Sequence, residues 1–316
     1  MPEALIGEID TVDASCPACG ARSISAIVSA PDRFHGRRDF YVLRRCSGCR
    51  LVWLSDPPAP EALAQHYGED YDRWIAGAGD SPNRWKDRVD AIQRHRIGGS
   101  LLDIGCGSGG FLRAIASPAW KLSGIEMSAK AARRAVRETG ADVYVGDILS
   151  ASFPAAHFDV ITCFHVFEHL YDPVGALKQV AHWLKPSGMF YLMVPNIDSA
   201  GFRIFGSYWY ALELPRHLYH YSPLSLATMA ANAGLKSAEV TTHREVFWEK
   251  SLRYCVDDLL HEVGIRRRSL AKSATPSVPF RLFRKGLRLT LWPLLDQFAR
   301  LAGDGESIHA VFRRDE

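Results

Sequence analysis

The sequence lacks the features that would place the protein in a membrane or outside the cell. No uninterrupted apolar run approaches the roughly 20 residues that span a bilayer. The N-terminus has no basic stretch followed by an apolar one, so we expect no secretory leader and a cytoplasmic location. The net charge over 316 residues is only +3, which indicates no particular charged partner.

Cysteine is also scarce, with 7 residues in the chain, and a chain of this length needs no disulfide staples. Four cysteines form two pairs at the spacing that places two thiolates on one tight turn: Cys16, Cys19, Cys46 and Cys49. Two such turns supply a closed tetrahedral zinc site, and four thiolates leave no open position, so the expected Zn²⁺ is structural. The alternatives are a redox dithiol and a decayed site. With strand-like alternation at 23–29 and 40–44, the segment resembles a zinc ribbon.

The glycine-rich stretch 101–110, Leu-Leu-Asp-Ile-Gly-Cys-Gly-Ser-Gly-Gly, follows a short apolar strand that ends near Asp103. Glycine lets the backbone bend sharply and approach a bound cofactor. The segment 111–116 is predicted to be helical, with its N-terminal amides facing the same pocket. Glu126 ends the next apolar strand, where a carboxylate can accept both ribose hydroxyls of an adenosine cofactor. Alone, the loop fits a dinucleotide as well as a methyl donor.

The segments that follow distinguish a methyl-donor site from a dinucleotide site. An acid inside the first strand, Asp103, suits a cationic sulfonium amino acid better than a nicotinamide. Taken in order, the chain from 98 to 242 plus the last strand resembles a class I S-adenosylmethionine-dependent methyltransferase. The segments that carry this resemblance are Gly146-Asp147-Ile148, 158–163, 165–169, 184–188 and Val194-Pro195-Asn196. The resemblance implies a doubly wound, Rossmann-like α/β sheet of seven strands, the last antiparallel, with the donor at the carboxyl edge.

The same resemblance assigns donor-binding roles residue by residue. Asp103 would meet the amino group of the donor, Glu126 the ribose and Met127 the adenine. Tyr71, on a predicted lid helix over 61–75, would contact the methionine moiety, or else pack the lid onto the core. The full set of expected donor contacts is Asp103, Gly105, Cys106, Gly107, Glu126, Met127, Asp147, Ile148, Phe164 and Tyr71.

The segment 165–169 carries a second constellation. His165, Glu168 and His169 are predicted to share one helical face. They match the inverted zinc-protease motif, which we reject because the motif begins directly after a methyltransferase fourth strand. Ubiquinone-type O-methyltransferases have Glu in place of His165, and their Glu/Glu/His set can bind a divalent metal. Anchoring of the helix by hydrogen bonds, catalysis by a histidine, and metal binding therefore remain open.

An aromatic-rich insertion at 197–222 is expected to cover the acceptor. Its end, His217-Leu218-Tyr219-His220-Tyr221-Ser222-Pro223, resembles glycan-associated methyltransferases, and Ser222 is expected to cap the next helix with Pro223 in its first turn. A hydroxyl acceptor must lose a proton, and histidine has a suitable pKa. The candidate bases are His217, His165 and His220, each of which could instead be structural.

The chain therefore divides into a ribbon module at 1–56, a linker with lid helices at 57–97, a core at 98–242 with 306–316, and an insertion at 243–305. The insertion carries Arg and Lys but no acid between Gly264 and Leu295, among apolar residues at helical spacing. It predicts peripheral contact of 264–302 with the inner face of an anionic membrane, and hence a lipid-linked acceptor. A dimer contact or a helical cap is the alternative, and we do not expect nucleic acid as a partner.

The expected function is S-adenosylmethionine-dependent O-methylation of a sugar or related metabolite in glycan or natural-product biosynthesis. The alternatives are C-methylation of a keto sugar nucleotide, RNA methylation through the ribbon, and a nicotinamide-dependent oxidoreductase. The sequence leaves open the acceptor, the methylated atom and the oligomeric state.

Overall fold

Two β-sheets organise the part of the chain that the computed structural model describes, namely residues 15–34, 39–66, 84–245, 247–262, 286 and 305–314. The strands are β1 (Ile24–Pro31), β2 (Phe40–Cys46), β3 (Val52–Leu54), β4 (Gly99–Ile104), β5 (Trp120–Glu126), β6 (Asp142–Val145), β7 (Phe158–Phe164), β8 (Leu184–Pro195), β9 (Tyr219–His220), β10 (Leu235–His243) and β11 (Ser307–Arg314). The α-helices are α1 (Pro60–Leu63), α2 (Lys86–Gln93), α3 (Gly110–Ile115), α4 (Ala129–Thr139), α5 (Pro173–Trp183), α6 (Ala200–Phe205), α7 (Pro223–Asn232) and α8 (Phe247–Glu262).

The larger sheet has seven strands in the order β10-β11-β8-β7-β4-β5-β6. The central strands run parallel, and β11 lies antiparallel to both of its neighbours. Strands β4 and β7 are almost wholly buried, because helices cover both faces of a doubly wound sheet. The predicted fold class, a doubly wound sheet of seven strands with the last one antiparallel, is confirmed.

The reversal of strand order at β4 determines where a ligand can bind. From β4 the chain moves outward through β5 to β6, and it then returns to the other side of β4 as β7. Crossover connections therefore diverge at the carboxyl ends of β4 and β7, which leaves a crevice there. Asp103, Glu126 and His165 all lie at or just beyond the carboxyl ends of these central strands.

The smaller sheet has the order β1-β2-β3-β9 and is antiparallel throughout. Its first three strands lie in the segment predicted as a ribbon module, which is called the ribbon below. Its fourth strand comes from the end of the 197–222 insertion, with Val52 opposite His220 and Trp53 opposite Tyr219. The ribbon is therefore joined by hydrogen bonds to the segment expected to cover the acceptor, which the sequence did not predict.

Two further expectations meet the structure only in part. Of the predicted lid helix over 61–75, α1 and a 3₁₀ turn at Ala64–His66 are described, whereas Tyr71 lies outside the described residues. The C-terminal insertion at 243–305 includes α8. The basic segment 264–302, apart from residue 286, also lies outside them. Among the helices that are described, none is both long and apolar enough to cross a bilayer.

Candidate active site

The loop between β4 and α3 requires glycine at two positions. Gly105 has φ +72°, and a Cβ at this position would lie 2.3 Å from Cγ2 of Val166. Gly109, which precedes α3, has φ +82°, in the left-handed region that favours glycine. The amides of Gly105 and Cys106 donate to the Ile125 carbonyl at 2.8 and 3.1 Å. The loop is thus drawn close to the end of β5, as binding of a nucleoside between the two strands requires.

Asp103 is a buried carboxyl in β4. Its Oδ1 accepts a hydrogen bond from the Thr162 hydroxyl at 2.7 Å. Burial raises the pKa of Asp103 to about 7, although the Thr162 hydrogen bond and the positive charge of Arg88 act in the opposite direction. An ammonium group bound beside Asp103 would favour the ionised carboxylate. The residue is therefore suited to hold a cationic amino acid.

Glu126 shapes the loop as well as facing the crevice. Its Oε2 accepts from the Gly107 amide and its Oε1 from the Ser128 amide, both at 2.8 Å. Burial raises the pKa of Glu126, and these backbone amides lower it. Each carboxylate oxygen has a second lone pair. Glu126 can therefore accept ribose hydroxyls without releasing the loop.

The other expected donor contacts differ in exposure. Met127 is 70% exposed, and Asp147 is also exposed, with its Oδ1 accepting from the Leu149 amide at 2.7 Å. Both could meet an adenine at the surface of the crevice. Ile148, in contrast, is only 4% exposed and packs in the main hydrophobic core. Cys106 is also buried in a core cluster, so its backbone rather than its thiol faces the loop interior.

Arg88 on α2 is a charged residue of the crevice that sequence reasoning missed. Its Nε lies 3.1 Å from Sδ of Met193, and its guanidinium lies 5.4 Å from the ring centre of Phe164. Its charge interacts with Asp103, and burial lowers the pKa of Arg88. A guanidinium in this position can pair with the carboxylate of an amino acid. Within the run Arg84-Trp85-Lys86-Asp87-Arg88, no local pattern distinguishes it from its neighbours.

His165 follows β7 directly and has an unusual backbone. Its φ is +57°, a left-handed value that is costly for a residue with a side chain and is often found at functional sites. Its amide donates to the Met193 carbonyl at 2.9 Å. The side chain is 29% exposed, and its Nδ1 lies 3.7 Å from Oε1 of Glu168. His165 is therefore the most accessible of the three candidate bases.

The predicted helical face of His165, Glu168 and His169 is wrong in part. Only Phe167–His169 forms a helical turn, of the 3₁₀ type, and His165 precedes it. The left-handed backbone of His165 breaks the helical path but still turns its ring toward Glu168. The proximity that the motif suggested thus arises from a tight turn instead of a helix.

Glu168 lies at the centre of a group of histidines, called the histidine cluster below. Its members are His165, His169, His217 and His220. The side chain of Glu168 is 2% exposed, and its Oε1 lies 4.0 Å from Nε2 of His217. Its Oε2 has no hydrogen-bond partner. A buried carboxylate oxygen without a partner is costly. A proton, a metal ion or a hydroxyl of a bound molecule would satisfy it.

Two histidines of this cluster are oriented by backbone carbonyls. His217 Nδ1 lies 2.8 Å from the Ala211 carbonyl, and His169 Nδ1 lies 2.9 Å from the Arg216 carbonyl. Because a carbonyl only accepts, each Nδ1 carries the hydrogen, and each Nε2 carries the lone pair that can accept a hydrogen bond or bind a metal. Burial lowers the pKa of His217 well below its usual range. Burial therefore favours the neutral form of His217.

His220 is enclosed between the ribbon and the core. It is 1% exposed, and neither of its ring nitrogens has a hydrogen-bond partner. Burial lowers the pKa of His220 to about 3. The residue is in the cluster, because its ring centre lies 6.0 Å from that of His217.

The four cysteines of the two pairs meet as predicted. The sulfurs of Cys16 and Cys49 lie 3.5 Å apart, and those of Cys19 and Cys46 lie 3.6 Å apart. All four ligand atoms lie within 4.8 Å of one another, and all four thiols are free. Tetrahedral zinc with bonds of about 2.3 Å separates sulfurs by about 3.8 Å. The cluster therefore fits a zinc ion closely.

A second group of metal-ligand type lies in the histidine cluster. Glu168, His169 and His217 bring three ligand atoms within 4.8 Å of one another. Each histidine donates its other ring N–H to a carbonyl, which is the usual outer-sphere arrangement of a histidine ligand. Here His217, from the insertion at 197–222, completes the set in place of His165.

The methyltransferase domain family matches residues 78–240, just over half of the chain. A ubiquinone biosynthesis O-methyltransferase of Thiobacillus denitrificans is 33% identical over 170 residues, which cover 50% of this chain and 72% of that relative. One of the same name from Aromatoleum aromaticum is 31% identical over 167 residues, 48% of this chain and 71% of the relative.

Solved structures agree in fold. A methyltransferase of Thermotoga maritima, described as a possible histamine N-methyltransferase, has a TM-score of 0.50 at 17% identity and covers 80% of this chain and 99% of its own. Phosphoethanolamine N-methyltransferase 2 of Haemonchus contortus, solved with S-adenosylmethionine, has a TM-score of 0.53 at 19% identity, covering 84% and 64%. Together with the crevice described above, these matches show that the chain belongs to the methyltransferase domain family and is an S-adenosylmethionine-dependent methyltransferase.

Proposed function

We propose that the protein methylates a hydroxyl group of a sugar or related ring-shaped metabolite in glycan or natural-product biosynthesis. The observation that carries this proposal is the cluster of His165, Glu168 and His217 just beyond β7. It lies at the sheet edge that also holds Asp103. A hydroxyl acceptor needs a base beside the donor, and histidine with a nearby carboxylate provides one. The O-methyltransferase relatives support the choice of oxygen.

The proposed donor site uses residues from the ends of β4 and β5 and from α2. Asp103 accepts from the donor ammonium, Arg88 pairs with its carboxylate, and Glu126 accepts from the ribose hydroxyls. Met127 and Asp147 meet the adenine. When bound, S-adenosylmethionine supplies a methyl group on a positively charged sulfur. Much of the acceleration of an in-line displacement then comes from holding the two reactants in position.

In the proposed reaction, His165 takes the proton from the acceptor hydroxyl as its oxygen attacks the methyl carbon. The carbon–sulfur bond breaks, and S-adenosylhomocysteine and the methyl ether are released. Glu168 Oε1, 3.7 Å from His165 Nδ1, stabilises the imidazolium that forms. His217 is the second choice, because its Nε2 lies 3.4 Å from Oε2 of Glu213 and burial strongly lowers its pKa, which makes it a weak base.

We also propose that Cys16, Cys19, Cys46 and Cys49 hold a structural Zn²⁺. The short sulfur–sulfur distances support this, and four thiolates leave no position for a substrate. The metal would then stabilise the ribbon and would not contact the reacting atoms.

A phenolic hydroxyl is the second candidate acceptor. The observation that favours it is the set of ubiquinone biosynthesis O-methyltransferases among the relatives. Glu168, His169 and His217 have the donor atoms and the spacing to bind a divalent metal beside such an acceptor. Dependence of transfer on added Mg²⁺ or Zn²⁺ would therefore favour the metal-assisted route over His165 as base.

The first test is calorimetry with S-adenosylhomocysteine. We expect micromolar binding by the wild type and binding at least about tenfold weaker for Glu126→Ala, since about 1.4 kcal/mol corresponds to a factor of ten. No binding by the folded wild type would contradict the proposed donor site.

The second test is a transfer assay with labelled donor against nucleotide sugars, lipid-linked sugars and catechols. His165→Asn should lose at least about a hundredfold in rate if His165 is the base, whereas S-adenosylhomocysteine binding should persist. Equal losses in His165→Asn and His217→Asn would contradict the assignment of His165.

A further inference from the structure

The segment that carries the acceptor-side histidines is poorly supported by its own secondary structure. Strand β9 has only two residues, Tyr219 and His220, and isolated pairs of this length are not stable in water. On one side, the chain is held by the core, where Ile197 donates to the Tyr221 carbonyl at 2.9 Å. On the other side, it is held by β3 of the ribbon. Within the described residues, β3 of the ribbon is therefore the strand that pairs with β9.

The ribbon strand that pairs with β9 follows one of the two cysteine turns. Cys46 ends β2, and β3 begins at Val52. Within this turn, the Cys46 amide donates to the Leu51 carbonyl at 2.9 Å, and the Arg50 amide donates to the Cys46 carbonyl at 3.0 Å. Arg50 is left-handed at φ +65°. A metal bound to Cys46 and Cys49 would hold this turn, and with it the direction of β3.

The other cysteine turn rests on the helix that follows β9. The Asn232 side chain, at the end of α7, donates to the Ala18 carbonyl at 2.7 Å. Ala18 lies between Cys16 and Cys19. Cys16 and Tyr221 belong to the same hydrophobic core cluster. The ribbon thus contacts the chain around the acceptor-side histidines at two points. Strand β3, which follows one cysteine turn, pairs with β9, and Ala18 in the other cysteine turn is bonded to α7.

Two backbone hydrogen bonds continue this support to the histidine cluster. The Leu54 amide, at the end of β3, donates to the Leu218 carbonyl at 2.9 Å. The Leu218 amide donates to the Glu168 carbonyl at 2.8 Å. Leu218 is also the neighbour of His217 in the chain. Movement of β3 would therefore displace His217 and Glu168 relative to His165.

The donor site does not share these bonds. Asp103 is bonded to Thr162 of β7, and Glu126 is bonded to the amides of Gly107 and Ser128. All of these residues belong to the seven-stranded core. The acceptor side can therefore lose its alignment while the donor side stays intact.

We propose that the cysteine ribbon is a positioning element for methyl transfer: metal bound between its two turns holds residues 217–221 against Glu168, and loss of the metal releases them without disturbing donor binding. This inference rests on the proposed function in two respects, the metal at the four cysteines and the acceptor role of the histidine cluster. It goes further by assigning the ribbon a part in catalysis through alignment of other residues.

Hydrogen exchange on the full-length protein tests the proposal without an acceptor. The comparison is between the wild type, Cys19→Ser and Cys255→Ser, with zinc content measured by elemental analysis. Cys19 is the exposed cysteine of the cluster, whereas Cys255 is a thiol of α8 outside it. We expect Cys19→Ser to lose zinc. Its amides at 217–221 should then exchange at least about tenfold faster, which reflects easier local opening.

In the same variant, amides of β4 and β7 should exchange at the wild-type rate, and the Kd for S-adenosylhomocysteine should change by less than about twofold. Cys255→Ser should match the wild type throughout. Unchanged exchange at 217–221 in the zinc-free variant would overturn the proposal. Equally faster exchange at 217–221 and in β4 would also overturn it, because the metal would then stabilise the fold in general and would have no specific effect on 217–221.

A second pair of variants leaves all four cysteines in place. Asn232→Ala removes the hydrogen bond to Ala18, and Thr228→Ala removes a hydroxyl on the same helix that bonds within the helix to Leu224. We expect faster exchange at 217–221 only in Asn232→Ala, with zinc retained in both. Indistinguishable exchange in the two variants would contradict the role of the Ala18 contact.

The outcomes separate this inference from the proposed function. If the wild type fails to bind S-adenosylhomocysteine, the proposed donor site is wrong whatever the exchange pattern shows. If donor binding and transfer are present but exchange at 217–221 does not depend on zinc, only the positioning role is wrong.

Discussion

At the scale of single residues, the candidate site combines two buried carboxyls with a basic residue and several histidines. Asp103 and Glu126 are both raised in pKa by burial, which places them in surroundings where a bound cation interacts strongly. Arg88 contributes the opposite charge within the same crevice. A zwitterionic amino acid matches this pair of opposite charges.

Donor binding is expected to depend on pH through Asp103. Burial raises the pKa of Asp103 to about 7, so the carboxyl is protonated below this pH, and the carboxylate that pairs with an ammonium forms as pH rises. Between about pH 6 and pH 7.5 the ionised fraction grows roughly eightfold, and the Kd for S-adenosylhomocysteine should fall by a similar factor. Calorimetry across this range checks the prediction. Asp103→Asn should bind weakly at every pH, and a constant wild-type Kd would contradict the role of Asp103.

Gly105 is expected to be intolerant of a side chain. Gly105→Ala places a Cβ 2.3 Å from Val166 at φ +72°, which should cost more than about 2 kcal/mol and weaken donor binding. Gly140→Ala is a matched control, because it has φ +69° but no atom within 4 Å and should cost about 1 kcal/mol. Chemical denaturation and calorimetry measure both effects. Equal stability of the two variants would refute the steric argument.

At the scale of elements, the features that matter most are the turns and caps around the acceptor side. Helix α7 begins at a buried capping box, in which Ser222 and Ser225 exchange hydrogen bonds, with Pro223 in the first turn. This cap follows β9 directly. It therefore determines where the segment 217–221 ends and the helix begins.

Loss of this cap is expected to destabilise the protein measurably. Ser222→Ala removes the acceptor for the Ser225 amide, at 3.1 Å, inside a fully buried site, and should cost about 1–2 kcal/mol. Ser128→Ala at α4 removes a single, longer bond of 3.3 Å to the Ala131 amide and should cost less than about 1 kcal/mol. The free energy of unfolding in urea compares the two. A larger cost for Ser128→Ala would contradict the importance of the buried cap.

At the scale of the whole molecule, the ribbon sheet and the core meet on the acceptor side. The ribbon strands precede the core in sequence, yet β3 of the ribbon pairs with β9, and Tyr221 directly after β9 accepts a hydrogen bond from Ile197 of the core. The C-terminal insertion begins with α8, whose Phe247 amide donates to Oε2 of Glu306 next to β11 at 3.2 Å. The insertion is thus attached to the core at the same side as the 197–222 segment.

We propose that the basic segment 264–302 binds anionic membranes, in keeping with a lipid-linked acceptor. Basic residues near a charged bilayer each contribute about 1 kcal/mol. The wild type should therefore sediment with phosphatidylglycerol vesicles at low salt but not with neutral ones. Replacing Arg266, Arg267 and Arg268 by Gln should reduce this binding by at least about tenfold. Binding that is absent, or unchanged by the substitutions, would refute the proposal.

Several features of the fold and site could be predicted from local sequence. The seven strands, the glycine loop, the cap at Ser222 and the paired cysteines each depend on residues close together in the chain. Apolar periodicity, left-handed glycine and side-chain caps act over a few residues, so their patterns are visible in the sequence. Asp103 and Glu126 could be located because they lie at the carboxyl ends of such strands.

Tertiary structure alone decided which distant residues meet. The neighbourhood of Arg88 and Asp103, the approach of His217 to Glu168, and the pairing of β3 with β9 all join segments far apart in the chain. Such contacts depend on how helices and sheets pack, and many sequences satisfy the same local pattern with different partners. The left-handed backbone of His165 belongs with them, since the surrounding packing maintains a conformation that its own sequence does not favour. Local chemistry thus determined the donor loop and the two cysteine pairs, and long-range packing determined the acceptor side.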